Sequence, residues 1–103
     1  MRKLAHIGIP TKTKPEAAAY VEVLKVHITN PADSKHNVEW LFFEQDTPMD
    51  KFITENVHLA YFVEDIESEL EDAEILWPLT DMGTMKIAFI AEDGIPVELV
   101  QLA

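Results

Sequence analysis

The 103-residue sequence contains no cysteine, which excludes disulfide bonds, thiolate metal ligands and a cysteine nucleophile. Any metal ion would therefore be bound through nitrogen and oxygen atoms. Basic residues are also scarce, because eight lysines and arginines stand against nineteen aspartates and glutamates and leave a net charge of −11. Such a chain would repel a phosphate backbone. We therefore expect no nucleic-acid partner.

Long hydrophobic runs are missing too. No stretch approaches the roughly twenty apolar residues of a membrane helix. The basic start Met1-Arg2-Lys3 is not followed by the unbroken apolar segment of a signal peptide. A hydrophobic content of 48% beside 26% charged residues is ordinary for a folded protein. These features predict one soluble domain over residues 1–103, without membrane association and located in the cytoplasm.

The first part of the chain has the pattern of a strand followed by a helix. Residues 4–9 alternate in polarity up to Pro10, which predicts a strand. Thr13 and Glu16 are spaced as a capping box, and apolar residues then recur at helical spacing as far as Leu24, which predicts a helix. Two strands are predicted to follow, over residues 25–29 and over the apolar stretch 37–44, whose density of bulky residues predicts burial on both faces.

The second part of the chain repeats this order, with a helix between a first strand and a series of later strands. Asp65 is placed to cap the helix. Asp93-Gly94 is a strong signal for a two-residue hairpin turn, because both turn positions need positive φ. The predicted strands span residues 57–63, 74–77, 85–92 and 96–102.

The two parts therefore form a doubled unit, with a first module at about residues 1–50 and a second at about 54–103. The sequence His6-Ile7-Gly8-Ile9 opens the first module and His58-Leu59-Ala60-Tyr61 opens the second. Their last strands also match, since Val38-Glu39-Trp40-Leu41 resembles Val97-Glu98-Leu99-Val100. The interval from histidine to glutamate is shorter in the first module. We expect that the first module has lost a strand or hairpin.

Each module thus supplies one histidine and one glutamate: His6 and Glu39, then His58 and Glu98. Imidazole nitrogen and carboxylate oxygen suit Zn, Ni, Mn, Co or Fe, and four such ligands with an open position make a Lewis-acid site. A single strand histidine is more often structural, so it is the correspondence between modules that favours a metal site. Glu39 lies in an apolar run, where a carboxylate is costly to bury without a partner. His36 is an alternate ligand.

The residues 56–101 resemble the vicinal oxygen chelate superfamily, which includes glyoxalase I, methylmalonyl-CoA epimerase, extradiol dioxygenases and bleomycin-resistance proteins. The segment His58–Ile66 is similar to the superfamily's opening strand and helix start. The stretch Gly83–Ile90, with Asp93–Leu99, is similar to its closing hairpin. Residues 4–24 resemble the opening of a first module, with His6 at the place of a ligand.

The resemblance implies an α+β fold in which two βαβββ modules, the first one shortened, form a mixed, curved sheet around a cleft with the helices outside. It also implies a homodimer, a divalent metal and a small-molecule substrate. The implied activity is that of a glyoxalase-like lyase or isomerase. A metabolite would bind the metal through two adjacent oxygens, the ion would stabilise an enediolate, and Glu98 or Glu39 would move the proton.

Two alternatives stay open at this point. The shortened first module leaves undecided whether Glu39, Glu44 or neither carboxylate reaches the cleft. Without Glu39, the set His6, His58 and Glu98 would suit Fe(II) and an extradiol-type dioxygenase. The third hypothesis is a metal-free binding protein of the same fold, because some members of the superfamily hold no metal and only bind small molecules. Because Arg2 is the only arginine and the lysines are scattered, glutathione or coenzyme A conjugates are disfavoured as substrates.

Overall fold

The computed structural model describes all residues from 1 to 103 and contains one mixed, curved sheet of eight strands with two short helices. The elements, in chain order, are β1 Lys3–Pro10, β2 Ala19–Val21, β3 Val26–Ile28, β4 Val38–Phe43, α1 Lys51–Thr54, β5 His58–Phe62, α2 Ile66–Leu70, β6 Glu74–Asp81, β7 Met85–Glu92 and β8 Ile95–Leu102. A 3-10 turn spans Pro31–Asp33. The predicted α+β class with a mixed, curved sheet is confirmed.

The sheet is built from two similar halves, which we call the first half (β1 to β4) and the second half (β5 to β8). The strand order is β2-β3-β4-β1-β5-β8-β7-β6. In each half the first strand pairs with the last strand in parallel, and the other pairings are antiparallel. The halves meet at the antiparallel pair β1 and β5. The four central strands are therefore β4, β1, β5 and β8.

The helix predicted between Thr13 and Leu24 is wrong. The chain there forms turns and then β2, which pairs with β3 around a tight turn at Lys25, where φ is +50°. Leu24 is buried in the inner core while Tyr20 is 49% exposed, so residues that helical spacing places on one face differ in burial. The β-branched and aromatic residues of this stretch instead suit a pleated surface.

The loss of a strand from the first half is also wrong. All four strands are present, and the missing element is the helix that would correspond to α2. The first half is shortened within its strands, because β2 and β3 have three residues each whereas β6 and β7 have eight. β6 continues through Pro78, which an edge strand tolerates because no neighbour needs its missing N–H.

The two faces of the sheet are packed differently. The inner, concave face carries a hydrophobic cluster that joins both halves: Leu24, Val26, Leu41, Met49, Ile53, Ile87, Phe89 and Val100. On the outer face a second cluster lies under α2 in the second half only: Val63, Ile66, Ala88, Ile90, Val97 and Leu99. No helix covers the outer face of the first half, where Trp40 is 43% exposed. The predicted burial of its strand on both faces is therefore wrong.

Local signals in the second half are realised as predicted. Asp93 and Gly94 have φ of +53° and +77°, so both turn positions of the β7/β8 hairpin adopt the expected conformation. The side chain of Asp65 accepts a hydrogen bond from the amide of Ser68 and caps α2. None of the helices is long and apolar enough to cross a membrane.

Candidate metal centre

The strand register places the four predicted ligands in two short rows across the central strands. In one row Gly8 pairs with Glu39 on one side and with His58 on the other. In the second row Ala60 pairs with His6 and with Glu98. Paired residues direct their side chains to the same face. Each row therefore consists of a glutamate and a histidine separated by a small residue, and both rows project from the concave face.

The small residues leave the space in which the larger side chains converge. A Cβ atom at Gly8 would overlap the imidazole ring of His58, so this position accepts only glycine while the ring keeps its place. His58 is only 1% exposed and packs edge-on against Phe89. In the other row Ala60 is fully buried. The backbone of β1 thus forms the surface on which His58 rests.

The donor atoms of the four side chains lie within 4.8 Å of one another. Nε2 of His6 is 3.3 Å from Oε1 of Glu39 and 3.3 Å from Oε1 of Glu98. Nε2 of His58 is 3.2 Å from the same Oε1 of Glu98. The two rings are nearly perpendicular, at 73°, with centroids 5.6 Å apart. Two nitrogens and two carboxylates therefore face one common point.

This donor set fits a divalent cation. Nε2 of His6 is buried and makes no hydrogen bond, although two carboxylates lie close to it. Ligand atoms around a tetrahedral zinc ion at 2.0–2.1 Å are separated by about 3.4 Å. The three shortest separations, 3.2 to 3.3 Å, are close to that value, and all the donor atoms lie within 4.8 Å of one another. A buried nitrogen with no hydrogen-bond partner, directed at two carboxylates, is what a metal ligand needs.

The charges of the cluster stabilise one another when no ion is bound. Burial lowers the pKa of His6, but the nearby carboxylates of Glu39 and Glu98 outweigh it and raise that pKa from 6.5 to about 10. Burial raises the pKa of Glu98, but the contacts with His58 and His6 outweigh it and lower that pKa from 4.5 to about 2. In the metal-free protein at neutral pH, the positive charge of His6 therefore offsets the charges of the carboxylates, although its Nε2 is not aligned for a hydrogen bond to either.

A cavity of about 410 Å³ opens above the cluster on the concave face. His6, Glu39 and Glu98 form part of its lining, whereas His58 lies beneath the cavity. The rest of the wall is largely apolar. A molecule in the cavity could therefore contact three of the four cluster side chains directly.

The structure places the predicted site residues as follows. His6, Glu39, His58 and Glu98 all lie in the cluster. Glu44 does not, because it lies at the end of β4 and pairs with His27 at 2.7 Å. His36 is exposed in a loop and is not part of the cluster. Of the two carboxylates considered in the first half, Glu39 is the one that reaches the cleft.

Sequence reasoning missed Gly8 and Ala60 as residues that shape the site. The signal was present, because a small residue stands two positions after each histidine, in His6-Ile7-Gly8 and in His58-Leu59-Ala60. From the sequence pattern alone, Gly8 is only one residue in an alternating strand. Its importance depends on the antiparallel register of β1 and β5, which places it directly opposite His58.

Comparison with known proteins shows similarity of fold. No protein-family model and no curated protein sequence matches this chain. The crystal structure of a hypothetical protein from Bacillus halodurans C-125 is similar, with a TM-score of 0.64 and 17% identity over 99% of this chain and 95% of that one. Methylmalonyl-CoA epimerase from Mycobacterium tuberculosis has a TM-score of 0.62 and 14% identity over 97% of this chain and 87% of that one. At these identities the likeness establishes a shared fold.

Proposed function

We propose that this protein is a metal-dependent isomerase of the vicinal oxygen chelate superfamily, which moves a proton at a carbon next to a carbonyl group in a small metabolite with two adjacent oxygens. The observation that carries the proposal is the convergence of two imidazoles and two carboxylates at the floor of an apolar cavity. The similar fold of an epimerase supports this class of reaction.

His6, Glu39, His58 and Glu98 would hold the ion, and their nitrogen and oxygen donors suit Zn, Ni, Mn, Co or Fe. When bound, a divalent ion supplies Lewis-acid stabilisation of the negative charge that develops on a substrate oxygen as the proton leaves. Two carboxylates balance the charge of the ion, and two neutral imidazoles add none. The ligand set itself therefore favours a neutral centre.

Of the two glutamates, Glu39 is better placed to move the proton. Glu98 contacts both imidazoles through its Oε1, whereas Glu39 contacts His6 alone. The less restrained carboxylate can turn towards a substrate in the cavity, which both glutamates line. We assign proton transfer to Glu39 and retention of the ion to Glu98.

The position of Glu39 also favours an isomerase over an extradiol-type dioxygenase. The two-histidine, one-carboxylate arrangement expected for Fe(II) and oxygen chemistry requires a second carboxylate to lie out of reach. Glu39 lies 3.3 Å from His6 and supplies a fourth donor. This four-donor set is the argument for non-redox chemistry.

The first test is metal content, measured by elemental analysis on untagged protein after reconstitution with each candidate metal in turn. We expect about one ion per chain in the native protein. The His58→Gln variant should bind none. His27→Gln is the matched control, because it makes the same substitution in another histidine–glutamate pair outside the cluster, and it should bind like the native protein. Absence of metal from the native protein, or equal binding by both variants, would refute metal dependence and favour a metal-free binding protein.

The second test is proton exchange on a probe with adjacent oxygens. 2-Hydroxyacetophenone is small and neutral, and loss of its CH₂ signal in D₂O can be followed by proton NMR. The metal-loaded protein should accelerate exchange, and Glu39→Gln should lower the rate at least about a hundredfold while retaining the ion. Oxygen consumption with a catechol, without any exchange, would indicate the dioxygenase instead.

A further inference from the structure

We infer that the substrate of the proposed isomerase is an uncharged molecule with an apolar body, and that phosphate-bearing or carboxylate-bearing conjugates are excluded. The inference rests on the proposed function and specifies the ligand of the same site. The evidence for it comes from the side chains of the cavity wall, which are separate from the four residues of the cluster.

The wall of the cavity is almost entirely apolar. Fourteen of its nineteen residues are hydrophobic, and among them are three phenylalanines and three methionines: Phe43, Phe62, Phe89, Met49, Met82 and Met85. Apart from the ligands on its floor, the only side chain with a conventional hydrogen-bonding group is Thr84. Methionine adapts its shape to irregular apolar surfaces. Such a wall suits an aromatic or aliphatic body.

The wall carries no lysine or arginine, and His6 on the cavity floor is already paired with the carboxylates of Glu39 and Glu98. None of the eight lysines and arginines is among the nineteen lining residues. Two of the basic residues are paired elsewhere, since Arg2 contacts Glu92 at 2.6 Å and Lys25 contacts Asp46 at 2.6 Å. An anionic group in the cavity would lose its hydration without gaining an ion pair, which is unfavourable.

The size of the cavity agrees with a small ligand. Its volume of about 410 Å³ is near the lower end of the 300–1,000 Å³ typical of small-molecule pockets. A nucleotide-bearing conjugate would have to leave most of its mass outside. The charge and the size of the cavity therefore both favour a small, uncharged ligand over a large, anionic conjugate.

The test compares two probes that share adjacent oxygens and an aromatic body but differ in charge: 2,3-dihydroxynaphthalene and its 6-sulfonate. Each is titrated into the metal-loaded protein by calorimetry. We expect the uncharged diol to bind at least about tenfold more tightly than the sulfonate, because only the sulfonate must bury an unpaired charge. Equal or tighter binding of the sulfonate would overturn the inference.

A lysine introduced into the wall should change this preference. Thr84 is exposed and lines the cavity, so Thr84→Lys adds a cation with little risk to the fold, and Met85→Lys adds one from the neighbouring lining residue. Both should raise the affinity for the sulfonate relative to the diol. Ile95→Lys makes the same change of charge away from the lining residues and should leave the ratio unaltered. An equal shift in all three variants would mean that net charge, rather than the wall, sets the preference.

The same samples separate this inference from the proposed function. Metal content is measured on each, and 2-naphthol is compared with naphthalene-2-sulfonate on metal-free protein, since neither probe has adjacent oxygens. Metal uptake without any preference for neutral probes refutes the inference and leaves the isomerase proposal intact. A preference for 2-naphthol in a protein that binds no metal refutes the isomerase proposal and supports the apolar wall as the determinant.

Discussion

The two halves of the molecule share a strand plan, and each supplies one histidine and one glutamate to the cluster, but they differ in almost everything around these residues. The second half has α2 packed over its outer face, while the outer face of the first half is bare. Residues 1–50 contain six basic and seven acidic residues, against two and twelve in residues 51–103. The four residues of the cluster lie on β4, β1, β5 and β8. The other elements of the two halves therefore do not have to match each other.

The largest difference between the halves is expected from changing the small residue at the middle of each row, by replacing Gly8 with alanine and Ala60 with glycine. Gly8→Ala places a methyl group against the ring of His58 and should weaken metal binding by about a hundredfold. Ala60→Gly removes a methyl group from the other row and should leave metal affinity within about threefold while costing about 1 kcal/mol of stability. Competition with a chelating dye measures the affinity, and urea unfolding measures the stability. Equal weakening by both changes would contradict the role assigned to Gly8.

The difference in outer covering predicts unequal costs of truncation. Ile66 is the first residue of α2, packs into the outer cluster and is 1% exposed, so Ile66→Ala should destabilise the protein by about 3 kcal/mol. Trp40→Ala, on the bare outer face, should cost less than about 1 kcal/mol despite the larger side chain removed. Urea denaturation compares the two. If Trp40→Ala were the more costly change, the bare face would be covered in solution, and the predicted homodimer would have its interface there.

Within the cluster, His6 faces both carboxylates and His58 faces one, which predicts a pH dependence centred on His6. Its raised pKa contributes stability to the metal-free protein that is complete below pH 6.5 and is lost as the pH rises through about 10. A bound ion must displace this proton, so metal affinity should rise by about tenfold per pH unit between pH 7 and 9. Calorimetry in buffers of different ionisation enthalpy counts the proton released. Release of no proton would contradict a charged His6.

The smallest predicted effect is the loss of stability when a helix-capping side chain is removed, compared between a cap that forms and one that does not. Asp65→Ala removes the cap of α2 and should cost about 1 kcal/mol. Thr13→Ala alters the residue that the sequence pattern placed at a helix start, but no helix follows it, so stability should change by less than about 0.5 kcal/mol. Thermal unfolding of both variants distinguishes them. A loss at Thr13 equal to that at Asp65 would mean that the segment is helical in solution.

Features that depend on local chemistry could be predicted from the sequence. The Asp93-Gly94 turn requires positive φ at both positions, and few residues other than these adopt it easily, so the β7/β8 hairpin was predictable. The cap at Asp65 was predictable for a similar reason. The four residues of the cluster could be selected because the same short pattern occurs twice.

Features decided by distant contacts could not be predicted. A capping pattern at Thr13 contributes about 1 kcal/mol, which is too little to hold a helix when the following residues pair with β3. The function of Gly8 requires knowledge of which residue lies opposite it on β5. The residues of one segment alone do not specify which residues of another strand lie opposite them.

The order of the strands in the sheet differs from their order along the chain, and this affects when the molecule can fold. β8 follows all other strands in sequence, yet it lies between β5 and β7, and it carries Glu98. The centre of the sheet pairs Ile7 with Leu59, so it cannot close until the first half has been followed by β5. Folds dominated by such long-range pairings form over about milliseconds to seconds. During synthesis the four residues of the cluster therefore come together only after β8 has emerged, and the proposed metal site could form only as one of the last events of folding.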